Sequence, residues 1–318
     1  MAAAPSIGYT QFALIAAELS IITSYREIPM NAPSLSHADP ENRTATRARA
    51  IVHRTRGSTH GPITRLVSPG DLGDILKPFV FLDLFKTTSA AMQPNFGMHP
   101  HSGIATLTFL MQGDVRYEDS TGKQGVLPAG GVEWMRAGNG VWHTGAPVGD
   151  GPKTGFQLWV ALPASEENAP AESIYLAPEQ VPQEGPARVL LGQYGAALSA
   201  IPAPGEMTYL GVQLKDGERW RYTPPAGHDV AWLAVSAGQL DAAGLVDAGE
   251  LAVFEESGQA IDIVAHGDTT FVFGSAVKHP HDLVTGHYSV HTSKATLAQG
   301  EREIMRIGAL LRRDGRLR

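Results

Sequence analysis

The chain has 318 residues, enough for two domains, with 43% hydrophobic and 18% charged residues, the balance of an ordinary globular protein. A net charge of −7 disfavours direct nucleic-acid binding, which needs a basic face, and the absence of cysteine excludes disulfides, thiolate metal sites and a cysteine nucleophile. The 35 glycines and 22 prolines favour many short strands separated by turns over long helices.

The N-terminal region differs in composition from the rest of the chain. Residues Glu27–Arg49 are polar, proline-rich and without period, which predicts a disordered tail. The apolar run Phe12–Thr23 is short and contains Glu18, so no membrane span is predicted. The first basic residue, Arg26, follows this run, whereas a signal peptide carries its charge before it. We therefore expect a cytoplasmic protein, and Met30 is a candidate alternative start.

Beyond Ile63 the pattern is that of β-structure. Short apolar or alternating segments end in glycine-containing turns, which is typical of strands. The clearest of these segments are Phe79–Phe85, Thr106–Met111, Val115–Asp119, Val132–Met135 and Phe156–Leu162. Their short lengths predict an all-β sandwich or barrel.

Three pieces of this pattern recur in the same order later in the chain. The matched pairs are Leu107–Gly113 with Trp232–Gly238, Gly125–Met135 with Gly244–Phe254, and Phe156–Val160 with Thr270–Gly274. The repeat predicts two copies of one β module. The link between them is expected in Pro163–Pro186, a stretch rich in proline, glutamate and alanine.

The end of the chain changes to a helical period. The apolar residues Leu297, Ile304, Ile307, Leu310 and Leu311 share one face of a helix. Ser293 is a suitable N-cap for it. Several arginines follow toward its C-terminus, where the helix dipole favours cations. We interpret this segment as a packing helix with a solvated basic face; the alternative is a basic interaction patch.

Three histidines form a candidate metal site. His99 and His101 are two residues apart, so in a strand both side chains point to the same face. His143 follows the glycine-rich turn Ala137–Gly140, just after a predicted strand, and could join them from a neighbouring strand. Imidazole is a common ligand of transition metals, and we predict one divalent ion bound by these three residues.

Aromatic side chains could form a pocket beside this site. Phe79, Phe81 and Phe96 are the candidates for pocket lining, although core packing is our preferred interpretation of them. An apolar pocket beside a metal would suit an aromatic substrate.

The segments around the histidines resemble those of the pirin family. The resemblance rests on Gly97–Gly103, on the glycine-rich stretch that begins at Gly125, on Glu133–His143, on Phe79–Asp83 and on Gly286–Thr292. It implies two tandem cupin barrels of the jelly-roll type with a single metal, usually iron, in the N-terminal barrel. It also implies an oxygenase of the quercetin 2,3-dioxygenase type acting on a chelating aromatic or enediol substrate. Alternatively, it implies a metal-dependent regulatory protein that binds a protein partner without turnover.

The chain departs from the pattern of this family at the carboxylate ligand. Pirin-like sites place a glutamate two residues after the third histidine, where this chain has Gly145; other cupins place it four residues after the histidine pair, where this chain has Ala105. Glu133 is the nearest alternative carboxylate, either as a direct ligand or in a supporting or solvent-facing position. The resemblance implies Fe²⁺ as the ion, whereas three neutral imidazoles are equally compatible with nickel, copper, cobalt or zinc. The same departure leaves a site without metal as a third option.

The resemblance and the repeat together predict the organisation of the whole chain. We expect a tail over residues 1–55, a metal-binding cupin over 56–175, a second cupin without metal over 176–290, and a helix over 291–318. In the second module, His228 and Asp262 occupy places near those of His101 and His143. The pair His279 and His281 repeats the spacing of the metal motif without a third histidine in a matching turn; we interpret it as part of a loop, and the alternative is a second metal site.

Overall fold

The computed structural model describes residues 48–87 and 97–317, and it is built mainly of antiparallel strands with a helix at the C-terminal end. The elements up to the module link are β1 (Ile51–Thr55), β2 (Ser58–His60), β3 (Ile63–Val67), α1 (Leu72–Leu76), β4 (Phe79–Thr87), β5 (His99–His101), β6 (Ile104–Gln112), β7 (Asp114–Asp119), β8 (Gln124–Leu127), β9 (Val132–Arg136), β10 (Val141–Val148), β11 (Lys153–Ala161) and β12 (Glu172–Leu176). After a 3₁₀ turn at Pro178–Gln180 come β13 (Gln183–Glu184), β14 (Ala187–Leu191), β15 (Gln193–Tyr194), β16 (Ala197–Leu198), β17 (Met207–Leu214), β18 (Arg219–Tyr222), β19 (Val230–Asp241), β20 (Leu245–Asp247), β21 (Leu251–Phe254), β22 (Ile261–Ala276), β23 (Val284–Thr285), β24 (Val290–His291) and α2 (Lys294–Arg313).

The strands form two cupin modules. In the N-terminal module, a seven-stranded sheet of order β12-β9-β6-β11-β4-β3-β2 lies opposite a four-stranded sheet of order β5-β10-β7-β8. In the C-terminal module, one sheet runs β1-β21-β19-β22-β17-β14-β13, with β18 paired to β22 and β20 paired to β19. The all-β fold with tandem cupin modules and a C-terminal helix is confirmed.

The internal repeat is visible in the strand order. The matched pieces lie on β6, β8–β9 and β11 in the first module and on β19, β20–β21 and β22 in the second. The first sheet contains the order β9-β6-β11-β4, and the second contains the corresponding order β21-β19-β22-β17. The two sequence copies therefore share the order of their four central strands.

The large sheets of the two modules pack against each other through one shared apolar core. On β6, Leu107 and Phe109 point into this core, and the intervening Thr108 points to the opposite face, as strand alternation requires. A Cβ added at Gly211 would lie 2.7 Å from the Phe109 ring, so glycine allows this close approach. Phe79 meets Trp232 edge to face, with ring centroids 5.4 Å apart. Each large sheet is consequently buried on both faces.

The first described strand extends beyond the predicted tail boundary. Residues 51–55, which the composition placed in the tail, form β1 and pair with β21 of the C-terminal module. The neighbouring Arg49 is buried, with 1% of its surface exposed, and its guanidinium donates to the backbone carbonyls of Glu255, at 2.8 Å, and Asp229. Edge pairing between distant segments leaves no local compositional signal, which is why the boundary was missed. Residues 1–47 of the predicted tail lie outside the described residues.

The C-terminal helix forms as its pattern predicts. The hydroxyl of Ser293 caps it by accepting a 3.2 Å hydrogen bond from the Thr296 amide. The helix lies against β10, where the Trp142 indole donates to the Ile304 carbonyl at 2.9 Å. Within residues 48–87 and 97–317, no helix combines the length and apolar character needed to cross a membrane.

Candidate metal centre

The three predicted ligands meet on the inner face of the smaller N-terminal sheet. Strand β5 pairs with β10 so that His99 lies directly opposite His143 and His101 opposite Val141. The ring centroids of the three histidines are 4.5 to 5.1 Å apart. One ligand nitrogen from each lies within 4.8 Å of the others, and this is the one metal-compatible group among the described residues. Strand register alone therefore brings together residues separated by about forty positions.

Two of the imidazoles are oriented by backbone carbonyls. The Nδ1 of His99 lies 2.9 Å from the Gly97 carbonyl, and the Nδ1 of His101 lies 3.0 Å from the Tyr288 carbonyl. Because a carbonyl can only accept, Nδ1 carries the proton in both rings. The lone pair is then on Nε2, which is the arrangement that outer hydrogen bonds impose on metal-binding histidines.

The third imidazole faces a buried carboxylate. The Nδ1 of His143 lies 3.7 Å from Oε1 of Glu133, and both side chains are about 10% exposed. The Nε2 of His143 is buried and has no hydrogen-bond partner in the described part of the chain. An unpartnered buried nitrogen is costly unless something binds it, so this atom fits a metal ligand.

The electrostatics of the site favour neutral imidazoles. Burial lowers the pKa of His99 to about 4, assisted by the neighbouring His143 and opposed by the hydrogen bond to Gly97. Burial, followed by the two other histidines, holds the pKa of His101 well below its usual value. Both rings are thus in the state that binds a metal at neutral pH.

Glu133 lies inside the barrel. It is 7% exposed, and it accepts a 2.7 Å hydrogen bond from the Thr108 hydroxyl. The Tyr175 hydroxyl lies 3.5 Å from Oε1 of Glu133 and 3.1 Å from Oδ2 of Asp119. The solvent-facing alternative for Glu133 is therefore wrong, and its contacts are those of a residue that supports His143. Burial and the two neighbouring carboxylates raise the pKa of Tyr175 far above its usual value, so its hydroxyl stays protonated and can donate hydrogen bonds to these carboxylates.

An aromatic wall leads away from the histidines. Trp159 meets His101 edge to face at 4.8 Å, and Phe81 stacks on Trp159 at 4.0 Å with the rings 6° from parallel. The Arg65 guanidinium lies 3.9 Å above the Phe81 ring. Phe79 belongs to the core between the modules, and Phe96 lies outside the described residues. Of the candidate pocket residues, Phe81 is the one placed near the site.

Both family positions for a carboxylate ligand are occupied by small residues that leave the site without one. Gly145 lies two residues after His143 on β10, opposite Tyr117, and Ala105 points into the core between the modules. A Cβ added at Gly145 would meet one described neighbour within 4 Å, a methyl carbon of Val115 at 3.4 Å. A Cβ at this position is therefore accommodated.

The other histidines of interest have protein partners. In the second module, His228 is 4% exposed and its Nδ1 lies 2.9 Å from the Ser275 hydroxyl, and Asp262 forms an exposed ion pair with Arg221. The Nε2 of His279 lies 3.2 Å from the Leu162 carbonyl, and its Nδ1 accepts from the amide of His281 at 3.4 Å.

The basic end of α2 is largely paired. Arg306 is bound to Glu303 and Arg316 to Glu118, each with a contact shorter than 3 Å. Glu303, Arg306 and Arg316 border a groove of about 570 Å³ along the helix. The contacts support the packing interpretation of this helix.

Residues near the C-terminus contribute to the site in a way that the sequence did not predict. The segment containing Tyr288 belongs to one of the motifs that carry the family resemblance, but nothing in its pattern indicated contact with His101. The only sequence signal that could have pointed to this contact is that the segment carries part of the resemblance to the pirin family.

Comparisons with known proteins agree with the geometry. A family model described as Pirin matches residues 62–160. A Pseudomonas aeruginosa protein named "Putative quercetin 2,3-dioxygenase" is 34% identical over 228 residues, which cover 64% of this chain and 79% of that protein. A "Pirin-like protein" of Caulobacter vibrioides is 33% identical over 192 residues, covering 56% of this chain and 66% of that protein.

Solved structures show the same fold. The crystal structure of quercetin 2,3-dioxygenase from Acinetobacter baumannii matches with a TM-score of 0.71 and 25% identity, over 81% of this chain and 95% of that chain. The bacterial pirin YhhW from Escherichia coli in complex with nickel(II) matches with a TM-score of 0.56 and 19% identity, over 73% of this chain and 98% of that chain.

Proposed function

This chain belongs to the pirin family, and we propose that it is a metal-dependent oxygenase of the quercetin 2,3-dioxygenase type. The observation that carries the proposal is the convergence of His99, His101 and His143, with an unpartnered Nε2 on His143, which lies beside the buried Glu133. The proposed substrate is a small aromatic or enediol compound with adjacent oxygens that can chelate. The names of the Pseudomonas and Acinetobacter proteins support this class of reaction.

The donor set suits a divalent transition metal with open positions. Three neutral imidazoles supply no negative charge, so an anionic oxygen of a substrate would compensate the charge of the ion. When bound, Fe²⁺ would supply a coordination position for that oxygen and electrons for the reaction with dioxygen. We propose Fe²⁺ as the ion, and the nickel complex of the Escherichia coli pirin shows that a protein of this fold can hold another metal.

The residues of the chain itself position the substrate. The stacked rings of Trp159 and Phe81 offer a flat apolar surface that starts beside His101 and suits an aromatic ring. Beside His143, Glu133 and Tyr175 supply a buried carboxylate and a hydroxyl that lie 3.5 Å apart. The arrangement would orient a compound with one aromatic face and one polar edge.

The test measures metal content first and oxygen consumption second. The full chain, purified without a metal-binding tag, should carry close to one transition ion per chain by mass spectrometry, and His101→Ala should carry none. Wild type loaded with Fe²⁺ should then consume dioxygen with a member of a panel of flavonols and other enediols. His228→Ala, which alters a buried histidine of the second module, is the control and should behave as wild type in both assays. Bound metal without turnover on the whole panel would contradict the oxygenase proposal.

One observation favours a second function, which is metal-dependent regulation through a protein partner in the cytoplasm. Gly145 stands where the family resemblance places a carboxylate, and a protein that only senses a metal does not need a group to accept the substrate proton. This alternative expects capture of a specific partner by the metal-loaded protein and loss of that partner with the His101→Ala variant. A partner captured equally by both would count against it.

A further inference from the structure

The segment Tyr288–Thr292 lies directly against the metal centre. The Tyr288 carbonyl accepts from Nδ1 of His101 at 3.0 Å. The next residue, Ser289, forms a parallel bridge with Ser102, the residue that follows His101. The amide of Val290 donates to the Ser102 carbonyl at 3.3 Å. A segment near the C-terminus thus pairs with the metal motif of the first module.

A buried polar cluster fixes this pairing. The hydroxyl of Ser102 lies 2.9 Å from Nε2 of His291 and 2.9 Å from the hydroxyl of Ser289. The Nδ1 of His291 lies 3.5 Å from the carboxylate of Glu167. Ser102, His291 and Glu167 are at most 1% exposed. These are the residue types of a hydrolytic triad, but a serine without exposed surface cannot meet a substrate, so the cluster is structural.

The cluster and the residues around it are tightly packed. Glu167 also accepts from the amide and the hydroxyl of Thr292, at 2.6 and 2.8 Å. A Cβ added at Gly300 of α2 would lie 2.4 Å from the Ser102 hydroxyl and 2.9 Å from the His291 ring. A Cβ added at Gly103 would lie 2.1 Å from the Val290 carbonyl. Small movements of the segment would therefore be transmitted to Ser102 and to the adjacent ligand.

We propose that Ser102, Glu167, Ser289 and His291, together with the Tyr288 carbonyl, form a C-terminal latch that positions His101 for metal binding. The latch holds the Tyr288 carbonyl where it accepts the Nδ1 proton, and this keeps Nε2 of His101 unprotonated and aimed at the metal position. His291 acts through its neighbours as a positioning residue. The inference rests on the proposed metal binding and does not depend on turnover.

The test measures metal affinity without any substrate. Full-length protein stripped of metal is titrated with Ni²⁺ and with Zn²⁺ against a competing chelator. His291→Leu removes both ring nitrogens and should weaken binding by about ten- to a hundredfold, the usual effect of losing an outer partner of a ligand. His291→Gln, whose amide can still bond Ser102, should recover most of the affinity. The visible spectrum of the Co²⁺-loaded protein should change in His291→Leu and resemble wild type in His291→Gln.

The control is His228→Leu, which removes another buried histidine, one bonded to Ser275 in the second module. It should lower the melting temperature and leave the dissociation constants unchanged. If His291→Leu fails to fold, Ser289→Ala, which removes only one bond of the latch, should still weaken metal binding in the same direction. Unchanged dissociation constants in His291→Leu or Ser289→Ala, or a wild type that binds neither ion, would overturn the latch. Altered affinity without oxygen consumption would overturn only the oxygenase proposal.

Discussion

The two cupin modules share a strand order but differ in what fills them. The N-terminal interior holds His99, His101, His143 and Glu133, with polar side chains around them. The C-terminal interior is filled by buried apolar side chains, among them Trp220, Phe271 and Phe273. His228, which lies near the place that His101 has in the first module, forms a hydrogen bond with Ser275. The shared strand order therefore carries the candidate metal site in one copy and a packed apolar interior in the other.

Within the strand order that the modules share, the difference lies in the side chains at the inner-face positions. Both modules contribute outer faces to the same apolar core, so the second module stabilises the sheet whose opposite face looks toward the histidines. A polar interior buries less apolar surface and costs stability, and the shared core offsets this cost. We infer that the N-terminal module serves metal binding and the C-terminal module serves stability. Four substitutions would test this inference.

The largest expected effect is on the shared core. Trp232→Ala should lower the free energy of unfolding by about 3–5 kcal/mol, because it removes a fully buried side chain that packs on Phe79 across the module interface. Urea denaturation should show one transition at a lower midpoint, while the metal dissociation constant of the folded protein stays the same. Met305→Ala, at a position 64% exposed, is the control and should change little. Two separate transitions in the wild type would show that the modules do not share their stability.

Removing the buried carboxylate should weaken the binding barrel alone. Glu133→Gln abolishes the charge that faces Nδ1 of His143 and should loosen metal binding by about ten- to a hundredfold, equal to about 1.4–2.7 kcal/mol. Competition titration checks this value. Asp262→Asn, at an exposed carboxylate of the second module, should leave affinity unaltered. An equal loss in both variants would mean that net charge, and not the contact with His143, sets the affinity.

Restoring the family carboxylate should strengthen the same site. Gly145→Glu places an acidic side chain on the face of β10 that carries His143, where one described atom lies within 4 Å of the new Cβ. We expect metal binding about tenfold tighter, equal to about 1.4 kcal/mol, since the ion would gain a charged ligand. Gly145→Gln is the matched neutral control. Isothermal titration that finds no gain with glutamate over glutamine would show that Glu133 already compensates the ion.

The smallest expected effect is at the helix that covers β10. Ser293→Ala removes the N-cap bond to the Thr296 amide and should reduce the free energy of unfolding by about 1 kcal/mol. The thermal midpoint checks it, and Ser293→Asp should restore stability because aspartate is also a good cap. A change in metal affinity larger than the change in stability would connect this cap to the latch.

Much of the fold and part of the site could be predicted from local pattern. Alternating apolar residues predicted the strands now seen as β4, β6, β7, β9 and β11, and the repeat predicted two modules with one strand order. The spacing of His99 and His101 placed both side chains on one face. Such signals are local because a strand has a two-residue period and a helix a period of 3.6 residues.

The features that only the tertiary structure decided depend on pairing between segments that are far apart in the chain. The sequence could not tell that β1 joins the sheet of the second module, that Glu133 points inward beside His143, or that Tyr288 meets His101. The alternation along β6 could be recognised from the sequence, but either face could have been the interior. Only the packing of Leu107 and Phe109 on the other module leaves Thr108 facing Glu133. The sequence by itself determined which residues could bind a metal, because side-chain chemistry and strand period are local. Tertiary structure decided which partners orient them, because register and sheet packing are set by contacts between residues far apart in the chain.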